Sequence, residues 1–189
     1  MSAELIFVLS VGRSGTRSIA RQFGSGSRPY YNRNITIRDL RSLVEESPLS
    51  TYVEVNHLWR LHLPEIVEHF PSAPLWHLVR NGARCVGSWY LRGLFGDGHS
   101  GLEPTVLPVD NFVHLSRFEK VCWYWRYWNE HIEEYTSMRV RLEDLKLDEH
   151  LGRSPRNMDF IGDHAKQFDE ICGNLMFHYG YERGTDATS

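Results

Sequence analysis

The chain is predicted to fold as a three-layer α/β/α domain around a central parallel β-sheet. Three observations lead there. Apolar runs of strand length occur at Leu5–Leu9, Thr51–Val55 and Leu75–Val79. Segments with apolar residues at helical spacing separate them. The first run passes straight through Ser10-Val11-Gly12-Arg13-Ser14-Gly15-Thr16-Arg17 into a helical pattern. Strands that alternate with helices pair in parallel, because a parallel neighbour needs a crossover long enough to hold a helix.

Leu5–Leu9 is too short to span a bilayer, is preceded by Glu4 rather than a basic cluster and has no small-residue cleavage site behind it. It therefore reads as the first strand, not a signal peptide or membrane span. Ile19, Ala20 and Phe23 form one face of the helix that follows, and Gly24–Arg28 is a Gly/Ser loop. Ile35–Glu46 places Ile37, Leu40, Leu43 and Val44 on one side, with its charges on a solvated face, and Ser47-Pro48 ends it. Thr51–Val55 alternates and is rich in β-formers, a second strand whose end delivers Glu54, Asn56 and His57.

Pro64 opens a short helix through Phe70, and Leu75–Val79 is a third strand ending at Arg80. Gly82–Arg92 is helical with Cys85, Val86, Trp89 and Tyr90 inward. Leu94–Asn111, punctuated by Gly96, Gly98, Gly101, Pro104 and Pro108, is long for a connection within a compact domain and is expected to be a lid, a substrate loop or disordered. Leu115, Phe118, Val121, Cys122, Trp125, Trp128, Ile132 and Tyr135 mark a long amphipathic helix whose aromatics form core rather than a stacking platform for bases. Met138–Leu142 is a fourth strand, Glu143-Asp144-Leu145 a turn, Ser154–Asn157 a loop, and Phe168 to Tyr179 a closing helix capped by Gly180.

The 189 residues fit one domain, 1–189. A formal net charge of -3, from 21 basic and 24 acidic residues, argues against the broad basic field that attracts nucleic acid, so any anion site is local. Cys85, Cys122 and Cys172 are odd in number and sit in apolar periodic segments, as buried free thiols do, which points to a reducing, cytoplasmic setting. A monomer or homodimer is expected.

Within the glycine segment, Gly12 and Gly15 let the backbone turn tightly and aim N–H groups inward. The following helix adds the positive end of its dipole, and Arg13 and Arg17 add fixed charge. The pattern departs from the nucleoside-triphosphate loop Gly-x4-Gly-Lys-Ser/Thr, because Thr16 stands where lysine would. An ordinary strand-to-helix turn with two exposed arginines would share this local sequence. Arg80 at a strand end, with Ser88 about two helical turns on, offers a second anion site, although a surface arginine and an idle helical serine would read the same.

Together these motifs resemble the sulfotransferases that use 3′-phosphoadenosine 5′-phosphosulfate (PAPS), which have a P-loop nucleotide-binding-like fold. Val11-Gly12-Arg13-Ser14-Gly15-Thr16 is similar to that family's 5′-phosphosulfate loop, and Leu78 to Ser88 to its 3′-phosphate motif, with Arg80 and Ser88 as the contacts. Val55-Asn56-His57-Leu58 is similar to the strand end that carries a catalytic histidine in many members. The tryptophan-rich helix leading to Val140-Arg141-Leu142-Glu143-Asp144-Leu145 resembles the bacterial members, with Leu142 where tyrosine is frequent.

The resemblance implies sulfuryl transfer from PAPS to a hydroxyl or amine on a small-molecule or glycan acceptor, leaving adenosine 3′,5′-bisphosphate, with no metal. Gly12, Arg13, Ser14, Gly15, Thr16, Arg17, Arg80 and Ser88 would hold the nucleotide, and Arg13 would also meet charge developing on the bridging oxygen. His57, with an ordinary pKa near 6.5, would act as general base. Glu54 is the competing base, or the group that holds the imidazole tautomer; His99 and His114 stand beside or in the long loop as further candidates. A P-loop nucleotide or small-molecule kinase, or a nucleotide-binding module without catalysis, are the alternatives.

Overall fold

The computed structural model describes residues 3–23, 36–97, 106–146 and 159–182. They fall into two compact units, 1–79 with 131–152 and 80–130 with 153–189.

The first unit holds the sheet. Its strands are β1 (Glu4–Leu9), β2 (Thr51–Val55), β3 (Leu75–Val79) and β4 (Arg139–Arg141), all parallel, in the order β2-β1-β3-β4. Phe7 lies opposite Glu54 and Leu75, Val8 opposite Val55 and Trp76, and Leu78 opposite Val140. Alternation along the strands then sorts side chains into two layers. Leu5, Phe7, Leu9 and Tyr52 pack with Leu40 and Val44 of α2 (Ile37–Glu45) and with Leu63 and Ile66 of α3 (Leu63–His69). Val8, Val55 and Leu78 pack with Ile19 and Ala20 of α1 (Thr16–Phe23). Burial on both faces explains why β1 reads as a continuous apolar run. The three layers and the parallel sheet are those expected from the sequence.

β1 is the strand at which the sheet changes direction: the chain passes from β1 to β2 on one side, and β3 adds on the other. Ligands of open α/β sheets bind outside the carboxyl ends of the strands at such a point.

Local rules set the element ends. Thr36 and Asp39 form a capping box, so α2 starts at Ile37. Between β2 and α3 lies a 3₁₀ turn, His57–His62, that the sequence reading did not anticipate. Asn56 starts it by accepting the Leu58 N–H on Oδ1 at 3.0 Å. β4 is shorter than the expected Met138–Leu142 because Leu142 opens another 3₁₀ turn, Leu142–Asp144.

In the second unit, α4 (Gly82–Leu91), most of α5 (Arg117–Glu133) and α6 (Ala165–His178) carry an aromatic core. Trp89 meets Tyr124 edge to face at 5.6 Å, Trp125 meets Tyr179 at 6.1 Å, and Phe95 meets Phe112 at 5.4 Å. α5 begins at Arg117 rather than Leu115 because Ser116 and Glu119 form a reciprocal cap. Arg117 lies 4.1 Å over the Tyr90 ring and donates to the carbonyls of Tyr90 and Leu94. Gly180, at φ 74°, closes α6 in a Schellman turn: its N–H reaches the Phe177 carbonyl, and Tyr181 N–H reaches that of Met176 at 3.0 Å. Cys85, Cys122 and Cys172 are free and buried, and burial pushes the Cys172 thiol well above its ordinary range.

Gly24–Arg28, Ser154–Asn157 and the middle of the Leu94–Asn111 stretch lie outside the described residues. Among the described residues no helix is long and apolar enough to cross a membrane.

Candidate functional site

β1 ends at Leu9, and within six residues the backbone enters the left-handed region at Gly12 (φ 79°), Arg13 (φ 57°) and Gly15 (φ 84°). Glycine accepts that region freely, whereas at Arg13 it costs on the order of 1 kcal/mol. Such runs curve the chain so that successive N–H groups face a concavity suited to an anion. Ser10, Val11, Ser14 and Thr16 are buried and anchor the loop. The Ser10 hydroxyl accepts from Gly12 N–H at 3.2 Å, and the Ser14 hydroxyl donates to the Gly12 carbonyl at 3.1 Å. The Gly15 carbonyl accepts from Ser18 and Ile19 N–H and so opens α1. Arg13 is half-buried, Arg17 is exposed, and no acidic residue occupies the first turn of α1.

At the end of the neighbouring strand β2, His57 is buried in the first turn of the 3₁₀ segment. The Arg60 guanidinium, itself without exposed surface, donates to the His57 carbonyl. Glu54 does not open toward the strand end. It is only 5 % exposed, and its Oε1 accepts from the Trp59 indole N–H at 2.9 Å. Burial pushes the Glu54 carboxyl up to about 7; the Trp59 hydrogen bond, which favours the carboxylate, offsets only part of that.

In the second unit, Arg80 is half-buried and directly precedes Asn81, whose Oδ1 caps α4 by accepting from Arg84 N–H at 3.3 Å. Gly82 N–H donates to the Met176 sulfur at 2.9 Å, and a methyl on Gly82 would sit 2.9 Å from that sulfur and 3.0 Å from the Trp125 ring. Ser88, in the same helix, is 4 % exposed.

The fold thus sets the glycine loop and His57 on paired strands of one unit, following β1 and β2. Arg80 and Ser88 are joined through α4 in the other. His114 is exposed in the 3₁₀ turn Phe112–His114, and His99 lies outside the described residues. Sequence alone gave Trp59 and Arg60 no role, and singled out Leu142 only as standing where tyrosine is frequent. Asn56 ahead of His57 was the available signal for the turn that carries the first two, since asparagine is a strong cap. Leu142 left no local signal, because its contact with Gly15 is made across more than a hundred residues of chain.

Among the described residues no group of three or more His, Cys, Asp or Glu side chains is arranged to hold a metal ion. Comparison of the chain with protein-family models, curated proteins and solved structures finds no match.

Proposed function

We propose that the chain is a PAPS-dependent sulfotransferase that moves a sulfuryl group to a hydroxyl or amine by in-line displacement. The observation that carries this reading is the left-handed run Gly12, Arg13 and Gly15, set at the carboxyl end of the strand where the sheet changes direction. Its cation stands inside the loop, at Arg13, rather than at a lysine after Gly15. The order of motifs supports the same reading, because Arg80 and Ser88 give the chain a second basic and hydroxyl pair for the extra phosphate that distinguishes this donor from ATP.

In the reaction the acceptor oxygen or nitrogen attacks sulfur, the bond from sulfur to the bridging oxygen breaks, and the electron pair departs on the nucleotide's 5′-phosphate. Loop N–H groups, Arg13 and Thr16 meet the charge that grows there, a contribution that is stronger where water is excluded. His57 takes the acceptor's proton as general base.

Incubation with PAPS labelled with ³⁵S and a panel of alcohols, phenols, amines and glycans tests the activity. Label should move to at least one acceptor class, with adenosine 3′,5′-bisphosphate formed in equal amount. Tight nucleotide binding without transfer would favour a binding module, and phosphoryl transfer from ATP would favour a kinase.

A further inference from the structure

We propose that Glu54 is a positioning residue for the His57 turn, acting through the indole of Trp59, rather than the group that accepts the acceptor's proton. The proposal rests on the reading of His57 as general base.

Glu54 pairs in register with Phe7, so its side chain points to the layer formed by Leu5, Phe7, Tyr52, Leu40, Leu63 and Ile66. A carboxylate is costly in such a layer unless hydrogen-bonded, and Trp59 supplies the bond at 2.9 Å. The indole is held by its neighbours as well. It stands edge-on to Phe7 at 6.1 Å and to His62 at 6.0 Å, and is 3 % exposed.

Trp59 is two residues after His57 in the same short turn. Its backbone N–H bonds to the Asn56 carbonyl at 3.2 Å, the Leu58 N–H bonds to the Asn56 side chain, and Arg60 bonds to the His57 carbonyl. The Glu54–Trp59 bond therefore ties the middle of this turn back to β2 and fixes the backbone between them, which carries the imidazole of His57. Reactive groups need support of this kind, since a shift of about 1 Å can cost about 10²-fold in rate. A base must instead come within hydrogen-bond reach of the proton it removes. A 5 %-exposed carboxyl committed to an indole is built for the first task.

Amide hydrogen exchange of the full chain across His57–His62 tests the link, with Glu54→Ala, Glu54→Gln, Trp59→Phe and the Glu54→Ala/Trp59→Phe double variant. Glu54→Ala and Trp59→Phe should each speed exchange there about tenfold, the double variant no further, and Glu54→Gln, whose amide oxygen still accepts the indole N–H, only slightly. Additive effects, or exchange unmoved by Trp59→Phe, overturn the link. Glu54→Gln and Trp59→Phe decide the matter if Glu54→Ala does not fold.

In ³⁵S transfer, Glu54→Ala should lower kcat about tenfold with nucleotide KM unchanged, and Glu54→Gln should recover most of the loss. Turnover abolished by Glu54→Gln while exchange stays normal would make Glu54 the base and refute the proposal. Absence of any transfer by the unaltered chain refutes the functional reading, and that failure is separate from one seen in the exchange data.

Discussion

Leu142 packs so closely on Gly15 that a methyl group there would lie 2.6 Å from both Leu142 Cδ atoms. Gly15 is favoured by its φ of 84°, and any side chain there would also have to push the Leu142 methyls aside. The turn after β4 thus packs against the glycine loop. Gly15→Ala should destabilise the fold by about 1 to 3 kcal/mol in chemical denaturation. In a Leu142→Ala background, where the clash is gone, Gly15→Ala should still cost roughly 1 kcal/mol from the left-handed backbone, measured against Leu142→Ala alone. A double variant as stable as Leu142→Ala alone would show that backbone strain is not part of the cost.

The buried Glu54 carboxyl makes stability depend on pH. Its ordinary value of 4.5 applies to the unfolded chain, while in the fold it is raised to about 7. Between those values the folded chain keeps a proton that the unfolded chain has lost, so stability falls as pH rises from about 4.5 to about 7. The difference amounts to on the order of 3 kcal/mol above pH 7. Urea titrations across that range should show the slope in the native chain and a flatter profile in Glu54→Gln. Parallel profiles would remove Glu54 as the cause.

Arg80→Ala should weaken binding of adenosine 3′,5′-bisphosphate by about tenfold or more while leaving AMP within a few-fold, because only the bisphosphate offers the second charge-assisted contact. Calorimetric titration of both ligands measures this directly. Equal losses would dissociate Arg80 from the 3′-phosphate.

The two inner strands were legible because they are largely apolar, and the helices because strong caps and breakers bound them. Leu5–Leu9 and Leu75–Val79 were readable for that reason, as was the closing Gly180. The loop at Gly12–Gly15 was readable from its glycines, since the left-handed backbone there is a local property. The environment of Glu54 was not. Sequence position put it near the ligand-binding end of β2, but register with Phe7 turns it into the apolar layer, and its partner Trp59 lies in a turn whose period matches neither helix nor strand. Contacts such as Leu142 on Gly15 belong to the same class, made by topology rather than local pattern.

His57→Ala should reduce kcat for sulfuryl transfer by about 10²- to 10⁴-fold and leave nucleotide affinity within a few-fold, since a general base acts on the proton in the transition state. Near-native turnover in this variant would move the base elsewhere, with His114 and His99 next to test.

On the proposed reading, the loop from Ser10 to Arg17 receives a nucleotide bearing a 3′-phosphate and not a nucleoside triphosphate with magnesium. Thermal unfolding with adenosine 3′,5′-bisphosphate, ADP and ATP·Mg²⁺, each with native chain and Arg13→Ala, measures it most directly. The bisphosphate should stabilise most, and Arg13→Ala should lose that gain; a larger shift from ATP·Mg²⁺, or no shift from any of the three, would exclude a PAPS-type nucleotide at this loop.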